Sequence, residues 1–255
     1  MYSNNCTRGV RTVIPKIEIH DKQIYSFIFG NEISLSIYKQ VRAFDMYIQT
    51  RWKRYIVETN HSYHIITVFF NRDVTEAMLE QIIERWKDYP IEEVPPSNRK
   101  VTIPVCYEEP FCLDMERVSE LNRLTRNEII DKHSGADYLV YLVGFLPGFP
   151  YLGGLKEELA TPRLATPRKI VDAGSVGIGG AQTGIYPVNS PGGWNIIGKT
   201  PIQLYDVHRT IPFLLQPGDQ LKFHPISHEE FVEKEQRLLS NKEAVFEMIQ
   251  IEDIL

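Results

Sequence analysis

The sequence predicts an α+β protein, in which a small split α/β domain (residues 1–97) precedes a β-barrel domain (residues 98–226). The first hundred residues alternate paired β-rich segments with amphipathic helices, a pattern typical of helices packed on one face of a sheet. Residues 144–201 instead hold twelve of the sixteen glycines and seven of the sixteen prolines, and short strands between turns are typical of a barrel. The charged residues 227–255 carry apolar side chains at helical spacing and predict a C-terminal helical appendage.

Hydrophobic spacing predicts the order of elements in the N-terminal domain. Two alternating segments on either side of His20-Asp21-Lys22 indicate a hairpin, and Ser34 is placed to cap the helix that follows. The pattern then repeats with two further strands and a second helix. The predicted elements lie at 16–20, 24–30, 34–48, 55–59, 63–70 and 75–87. Two strands and a helix, given twice, favour a ferredoxin-like split sandwich with both helices on one face of the sheet.

The second domain follows a proline-rich linker. Residues 92–100 contain Pro95-Pro96, which removes two backbone donors and disfavours a helix. Thr125 and Glu128 form a capping box, which marks the start of a helix. The predicted elements after the linker are a strand, two short helices and a strand, at 101–107, 113–124, 125–134 and 138–145. Short strands and turns then continue to residue 226.

Composition narrows the class of protein. The chain has 255 residues, of which 43% are hydrophobic and 24% charged, as in ordinary globular proteins. No apolar run approaches the roughly 18–20 residues that span a bilayer, and the first residues lack the apolar core of a secretory signal. Three cysteines argue against a disulfide framework, so a cytoplasmic protein is expected. The net charge of −5 gives no reason to expect nucleic acid as a partner.

Several common chemistries are excluded because their motifs are missing. The glycine-rich segment 174–184 lacks the Gly-Lys-Ser/Thr of a phosphate loop, and Gln182 stands where a dinucleotide fingerprint needs glycine. The seven histidines have no ligand spacing; they are interpreted as surface or core residues, and no metal is predicted. Cys106 and Cys112 have no histidine partner, and the sequence has no Gly-x-Ser-x-Gly elbow. No catalytic residue is therefore assigned.

A tandem repeat of Leu-Ala-Thr-Pro-Arg occupies residues 159–168, inside the glycine-rich segment. Arg163 and Arg168 each follow Thr-Pro, which holds the backbone extended, and a guanidinium presented in this way can clamp a carboxylate or a phosphate. Residues 159–204 carry four cations and one anion, Asp172. This excess of positive charge favours a small anionic ligand or an anionic patch on a partner. Arginines on a solvated face are the alternative.

Other side chains of the segment complete the candidate site. Gln182 lies between small residues and Asn195 lies in a tight turn, so each amide could contact a ligand or could satisfy the backbone of its turn. Tyr186 offers a hydroxyl group. Phe149 could also contact a ligand, although core packing is the stronger alternative for this ring. The predicted substrate-binding residues are Phe149, Arg163, Arg168, Gln182, Tyr186 and Asn195.

The same segment resembles a known family. Its motifs are Gly-Phe-Leu-Pro-Gly-Phe-Pro-Tyr-Leu-Gly-Gly at 144–154, the two Ala-Thr-Pro-Arg copies, Ser-Val-Gly-Ile-Gly-Gly-Ala-Gln-Thr-Gly-Ile-Tyr-Pro at 175–187 and Ser-Pro-Gly-Gly-Trp at 190–194. They are similar to the B subunit of the bacterial ATP-dependent 5-oxoprolinase, a family also described as the sporulation-kinase inhibitor KipI and as allophanate hydrolase subunit 1. The resemblance runs over 101–226 and is weaker before residue 100. It departs at Asp172, where the family commonly has proline, and this anion weakens the local positive field.

The resemblance implies a cyclophilin-like barrel and a complex with two other proteins, a homologous C subunit and an A subunit. This complex opens 5-oxoproline to glutamate at the expense of ATP; whether ATP binds this chain is left open. Arg163, Arg168, Gln182 and Tyr186 would bind the small anionic lactam, with catalytic groups supplied largely by the partners. Some relatives instead bind a sensor histidine kinase and block it, so a kinase inhibitor is the alternative function. Prolyl isomerase activity, suggested by the barrel type alone, is the weakest candidate.

Overall fold

The structure is a computed structural model that describes residues 12–91 and 99–253. The chain divides into two compact units, residues 1–95 and 96–255, and each unit has its own hydrophobic core. The predicted domain boundary at residue 97 and most of the predicted linker fall in the segment 92–98, outside the described residues. Within the two described ranges, every helix is too short or too polar to reach across a bilayer.

The first unit is built on a four-stranded antiparallel sheet. Its strands lie in the order β1-β2-β4-β3. They are β1 (Lys16–Asp21), β2 (Ile24–Ile28), β3 (Ile56–His61) and β4 (Ile65–Phe70). β1 and β2 form the predicted hairpin. Residues that face each other across a strand pair share a face of the sheet, so Phe27 and Ile66, which pair across β2 and β4, are buried together on one face.

Two helices pack on the buried face of this sheet. The helix α1 (Leu35–Arg51) begins at Ser34, whose hydroxyl accepts a hydrogen bond from the Ile37 N–H at 3.3 Å. The helix α2 (Glu76–Lys87) begins at Thr75 in the same way. Each cap satisfies a backbone donor that has no partner inside the helix. The core of the unit includes Phe27, Phe44, Tyr47, Ile66, Ile82 and Trp86.

The elements of the first unit run strand-strand-helix, and this order is repeated once. The predicted strands and helices, packed as a split α/β sandwich, are all present. The ferredoxin-like motif has the order strand-helix-strand, repeated once. The observed order differs from this motif, so the structure does not confirm the ferredoxin-like assignment.

The second unit contains the predicted barrel. Its strands are β5 (Arg99–Cys106), β6 (Asp137–Val143), β7 (Pro150–Gly153), β8 (Arg168–Val171), β9 (Ser175–Gly179), β10 (Gln182–Ile185), β11 (Ser190–Gly192), β12 (Asn195–Lys199) and β13 (Gln220–Ile226). Within residues 99–253, seven of these form a sheet in the order β12-β9-β10-β7-β6-β13-β5. The pairing of Lys199 on β12 with Cys106 on β5 closes this sheet into a barrel, which fits a cyclophilin-like domain. β8 and β11 pair with each other as a separate ribbon.

Two helices and the inward side chains of the strands make one core. The helix α3 (Met115–Asn122) and the helix α4 (Arg126–Ser134) pack against the barrel, and α4 begins with the predicted capping box of Thr125 and Glu128. Burying one aliphatic side chain of this core contributes about 1.5–3 kcal/mol to the stability of the fold, relative to leaving it exposed. The buried strand residues include Val101, Ile103, Val105, Val140, Val176, Ile178, Ile185, Ile197, Leu221 and Phe223.

The tail after residue 226 belongs to the second unit. It contains the helix α5 (His228–Ser240), which starts with a capping box at Ser227, and the short helix α6 (Val245–Met248). The prediction of a helical appendage is incomplete, because the tail continues as the strand β14 (Gln250–Asp253). This strand pairs antiparallel with residues 99–102 of β5. The pairing with β5, which is distant in the sequence, holds residues 250–253 in an extended conformation.

Candidate functional site

Four aromatic side chains of the glycine-rich segment pack together on the barrel, and we call them the aromatic platform: Phe149, Tyr151, Tyr186 and Trp194. The centroid of the Phe149 ring lies 5.0 Å from that of Tyr151 and 5.6 Å from those of Tyr186 and Trp194. The last two contacts are edge-to-face, an arrangement that aromatic quadrupoles favour. Phe149, Tyr186 and Trp194 are each buried. The platform is therefore a fixed floor, and Phe149 is one of its packed members.

Two glycines let these rings lie against the backbone. A Cβ atom at Gly179 would lie 2.4 Å from the Trp194 ring, and a Cβ atom at Gly192 would lie 2.3 Å from the Tyr186 hydroxyl. Both distances are far below van der Waals contact, so each position requires glycine for steric reasons. The concentration of glycine that marks this segment in the sequence thus reflects, at these two positions, close packing of aromatic rings.

Arg163 lies over the aromatic platform. Its side chain is exposed, and its guanidinium carbon is 5.8 Å from the centroid of the Trp194 ring, within the range of a cation–π contact. In the part of the chain that the structure describes, no carboxylate lies within ion-pair distance of this guanidinium. Arg163 thus combines an exposed positive charge with a supporting ring, and its role in binding an anion stays a prediction.

Arg168, from the second copy of the repeat, is engaged by the protein itself. Its Nη2 atom donates to Asp114 Oδ1 at 2.7 Å, and the Asp114 side chain is only 8% exposed. The other carboxylate oxygen accepts a hydrogen bond from the Ile196 N–H at 2.7 Å. Asp114 therefore connects β8 to β12 and offsets one of the cations counted in the sequence. The structure thus gives Arg168 a structural contact through Nη2, while its buried Nη1 atom has no hydrogen-bond partner among the described residues; its predicted contact with a ligand stays a prediction.

Asn195 is also used by the protein. It is completely buried; its Nδ2 atom donates to the carbonyls of Pro162 and Ile178, both at 3.0 Å, and its Oδ1 atom accepts from Arg117 Nε at 3.0 Å. Both polar atoms of the amide are thus bonded inside the second unit. Of the two interpretations that the sequence left open, the structure supports an amide that satisfies backbone groups, and it does not present Asn195 to a ligand.

Gln182 lies at the start of β10, where it pairs with Gly179 of β9 across a tight turn. The glycine-rich residues 174–184, which lack the motif of a phosphate loop, thus form a β-hairpin and do not open a helix. Gln182 is half-buried at the edge of this hairpin.

Tyr186 has its hydroxyl in contact with backbone atoms. Burial raises the pKa of Tyr186, and this effect exceeds the opposing effects of a backbone hydrogen bond from Trp194 and of the positive charge on Arg163. Burial likewise raises the pKa of Tyr151, against the smaller effect of Arg163. Both phenols are therefore neutral near pH 7, and Arg163 supplies the positive charge over the platform.

Asp114 and Arg117 are structural residues of the site that sequence reasoning missed. Asp114 precedes α3 at the position of a helix cap, yet its side chain makes no cap hydrogen bond. Its carboxylate instead reaches Ile196, 82 residues later in the chain. Contacts over such a separation leave no spacing pattern, so no signal in the sequence could have identified them.

A second polar cluster lies inside the barrel. The Thr183 hydroxyl donates to the Gly177 carbonyl at 3.0 Å, so it accepts from His133 Nε2 at 2.8 Å, and His133 Nδ1 accepts from the Tyr107 hydroxyl at 2.8 Å. Burial lowers the pKa of His133 to about 3. His133 is thus a neutral core histidine, one of the two interpretations given for the histidines. Among residues 12–91 and 99–253, no three potential metal ligands come together.

The chain, an α/β unit followed by a closed barrel, falls into one class of protein. Residues 15–215 match the family model described as the carboxyltransferase domain, subdomain C and D. The chain is 37% identical over 219 residues to the B subunit of 5-oxoprolinase from Bacillus subtilis, covering 80% of this chain and 89% of that protein. It is 44% identical over 191 residues to the 5-oxoprolinase B subunit of Haemophilus influenzae, covering 74% and 88%. The chain belongs to the family of 5-oxoprolinase B subunits.

A solved structure shows the same fold inside a longer chain. The protein TTHA0988 is 30% identical, with a TM-score of 0.69 over 80% of this chain. This chain covers only 40% of that protein. In that relative the fold found here is therefore joined to further polypeptide.

Proposed function

We propose that this chain is the B subunit of an ATP-dependent 5-oxoprolinase, a complex that converts 5-oxo-L-proline to L-glutamate with hydrolysis of ATP. The observation that carries the proposal is the 37% identity to the Bacillus subtilis 5-oxoprolinase B subunit across 89% of that protein's length. The chain acts as a non-autonomous subunit, so turnover requires the complete complex. A cytoplasmic location follows from the need for ATP. No relative favours the alternative of a kinase inhibitor.

Arg163 and the aromatic platform supply a chemically suitable surface for this substrate. 5-Oxoproline is a small five-membered lactam that carries a carboxylate at neutral pH. The exposed guanidinium of Arg163 can form a bidentate pair with that carboxylate, while the Trp194 ring beneath it excludes water from one side. Each charge-assisted hydrogen bond contributes about 1.5–3 kcal/mol when it is desolvated. Tyr186 is a member of the platform, and we propose that Gln182, at the start of β10, contacts the same ligand.

The chemistry of the reaction explains why a cationic surface is useful. An amide resists hydrolysis because resonance stabilises it, and phosphorylation of the lactam carbonyl oxygen makes the ring carbon a better electrophile. A fixed positive charge then stabilises the negative charge that develops on the phosphoryl and carbonyl oxygens. We propose that the catalytic groups come largely from the partner subunits.

The partners that we propose are a homologous C subunit and an A subunit. The longer chain of TTHA0988, of which this fold is 40%, supports a requirement for additional polypeptide beside this chain. ATP is the cofactor of the complex. The glycine-rich residues 174–184 form a β-hairpin, which lacks the helix N-terminus that binds phosphates in P-loop sites, so this segment gives no support for ATP binding by this chain.

The experiment is to assemble this chain with its cognate C and A subunits and to measure ATP hydrolysis with and without 5-oxoproline. We expect hydrolysis that depends on 5-oxoproline only when all three proteins are present. Arg163→Ala should raise the KM for 5-oxoproline by about 10- to 100-fold, which corresponds to about 1.4–2.8 kcal/mol, the contribution of one charge-assisted hydrogen bond. Lys169→Ala, which removes an exposed cation of the same segment, is the control, and its KM should stay within about twofold. A complete complex without 5-oxoproline-dependent hydrolysis would refute the proposal.

A further inference from the structure

We propose that Asn195 and Arg117 are positioning residues, which hold Arg163 in place over the aromatic platform without touching the substrate. This inference rests on the proposed function of Arg163. It assigns to the buried amide and to the helix arginine a role that follows from how the backbone on either side of Arg163 is anchored.

The backbone around Arg163 is fixed at each neighbouring position. Thr161 exchanges two backbone hydrogen bonds with Gly180, at 3.1 and 2.8 Å. The Pro162 carbonyl accepts from Asn195 Nδ2 at 3.0 Å, and the Leu164 N–H donates to the Gly193 carbonyl at 2.7 Å. The chain is thus held before and after Arg163, while the Arg163 side chain stays exposed.

The anchor at Pro162 depends on Asn195. Proline has no N–H group, so the carbonyl is the one backbone atom through which residue 162 can be hydrogen-bonded. Asn195 Nδ2 supplies that bond, and its second hydrogen bonds the Ile178 carbonyl of β9, also at 3.0 Å. The amide therefore connects the loop that carries Arg163 to a strand of the closed barrel. Loss of the amide would remove the anchor of the residue immediately before the arginine and leave those at Thr161 and Leu164 in place.

Arg117 fixes which way the Asn195 amide points. An amide can rotate by 180° and exchange its oxygen and nitrogen. Arg117 Nε only donates, and it donates to Asn195 Oδ1 at 3.0 Å. With the oxygen held there, the nitrogen must face the carbonyls of Pro162 and Ile178. A rotated amide would place its oxygen against these two carbonyl oxygens, with no hydrogen bond formed.

The two copies of the repeat are anchored in opposite ways. In the second copy, the guanidinium of Arg168 is itself anchored, since its Nη2 atom is bound by Asp114 at 2.7 Å. In the first copy, the backbone takes the anchoring contacts, and the guanidinium of Arg163 is left to act on a ligand. Asn195 therefore belongs to the copy that we propose is functional, which gives its burial a purpose beyond packing.

The test compares three variants in the assembled complex: Asn195→Ala, Arg117→Ala and the control Arg126→Ala. Arg126 is a partly buried arginine of the same unit that donates to the Tyr107 carbonyl and has no connection to Pro162. We expect Asn195→Ala to raise the KM for 5-oxoproline about tenfold and Arg117→Ala about threefold, with kcat within twofold, while Arg126→Ala leaves KM unchanged. Both effects should vanish in an Arg163→Ala background, because a residue that acts only through Arg163 has nothing left to position.

The outcomes separate the two proposals. If Arg163→Ala raises KM and the effects of Asn195→Ala and Arg117→Ala persist unchanged in its background, or are absent altogether, the positioning role is wrong while the proposed function stands. If Arg163→Ala leaves KM unchanged, Arg163 is not a binding residue and both roles fail at this site. If Asn195→Ala does not fold, Arg117→Ala, at a half-buried position of α3, decides the question alone.

Discussion

Replacing Asp114 tests whether one buried carboxylate holds the strands β8 and β12 together. In Asp114→Ala, the N–H group of Ile196 loses its hydrogen-bond acceptor. Ile196 is only 1% exposed, and an unsatisfied buried donor costs about 1–3 kcal/mol. Arg168 also loses its partner, but its side chain is 29% exposed; water screens that loss to about 0.5–1 kcal/mol. We therefore expect Asp114→Ala to lower the free energy of unfolding of the second unit by about 1.5–4 kcal/mol.

The matched control is Asp172→Ala, because Asp172 faces Lys199 at 3.7 Å and is 66% exposed. Such an exposed pair contributes little, so the control should change the free energy of unfolding by no more than about 0.5 kcal/mol. Hydrogen–deuterium exchange of peptides from β9 and β12 measures both variants within the second unit alone. Equal losses in the two variants, or a loss below about 1 kcal/mol for Asp114→Ala, would refute the reasoning that the buried hydrogen bond to Ile196 dominates.

Three further predictions follow from the packing of the second unit. The folded state keeps His133 neutral, with a pKa near 3, whereas the unfolded chain takes up a proton near pH 6.5; stability should therefore be full above pH 6.5 and fall by up to about 1.4 kcal/mol per pH unit on acidification. Urea unfolding at pH 7 and pH 4.5 should show this decline, which His133→Gln should reduce. Gly192→Ala places a Cβ atom 2.3 Å from the Tyr186 hydroxyl and should cost about 1–3 kcal/mol in thermal unfolding, whereas Gly193→Ala, with its nearest atom at 3.6 Å, should cost much less; equal losses would contradict the steric argument. Burial and a hydrogen bond to Glu109 raise the pKa of Cys112 to about 11, so iodoacetamide at pH 8 should label it far more slowly in the native protein than after unfolding, as mass spectrometry of its peptide will show.

Local patterns predicted the parts of the fold that local hydrogen bonds create. The capping box of Thr125 and Glu128 and the cap at Ser34 are each formed within four residues, and both appear where the sequence placed them. The barrel was also expected, because turns rich in glycine and proline are a compositional signal. The strand β14 was missed, since its pairing with β5 joins residues about 150 positions apart and leaves no periodic signal of its own.

The candidate site shows the same division between local and distant information. The repeat identified Arg163 and Arg168 as equivalent, because the four residues before each of them are identical. Their environments differ through Asp114, which is 54 residues from Arg168, and through Asn195, which is 33 residues from Pro162. The different contacts of the two guanidinium groups are therefore decided by tertiary structure, and only the structure could distinguish the two arginines.

The strand β14 has a consequence for how this protein behaves in concentrated solution. β12 meets its neighbour β5 only at Cys106, so on that side the main-chain groups of residues 99–102 are capped by β14 alone. A chain shortened to Ile249 would display an uncovered sheet border, which is a template for strand exchange between molecules. The strand β14 thus protects this border of the sheet against self-assembly.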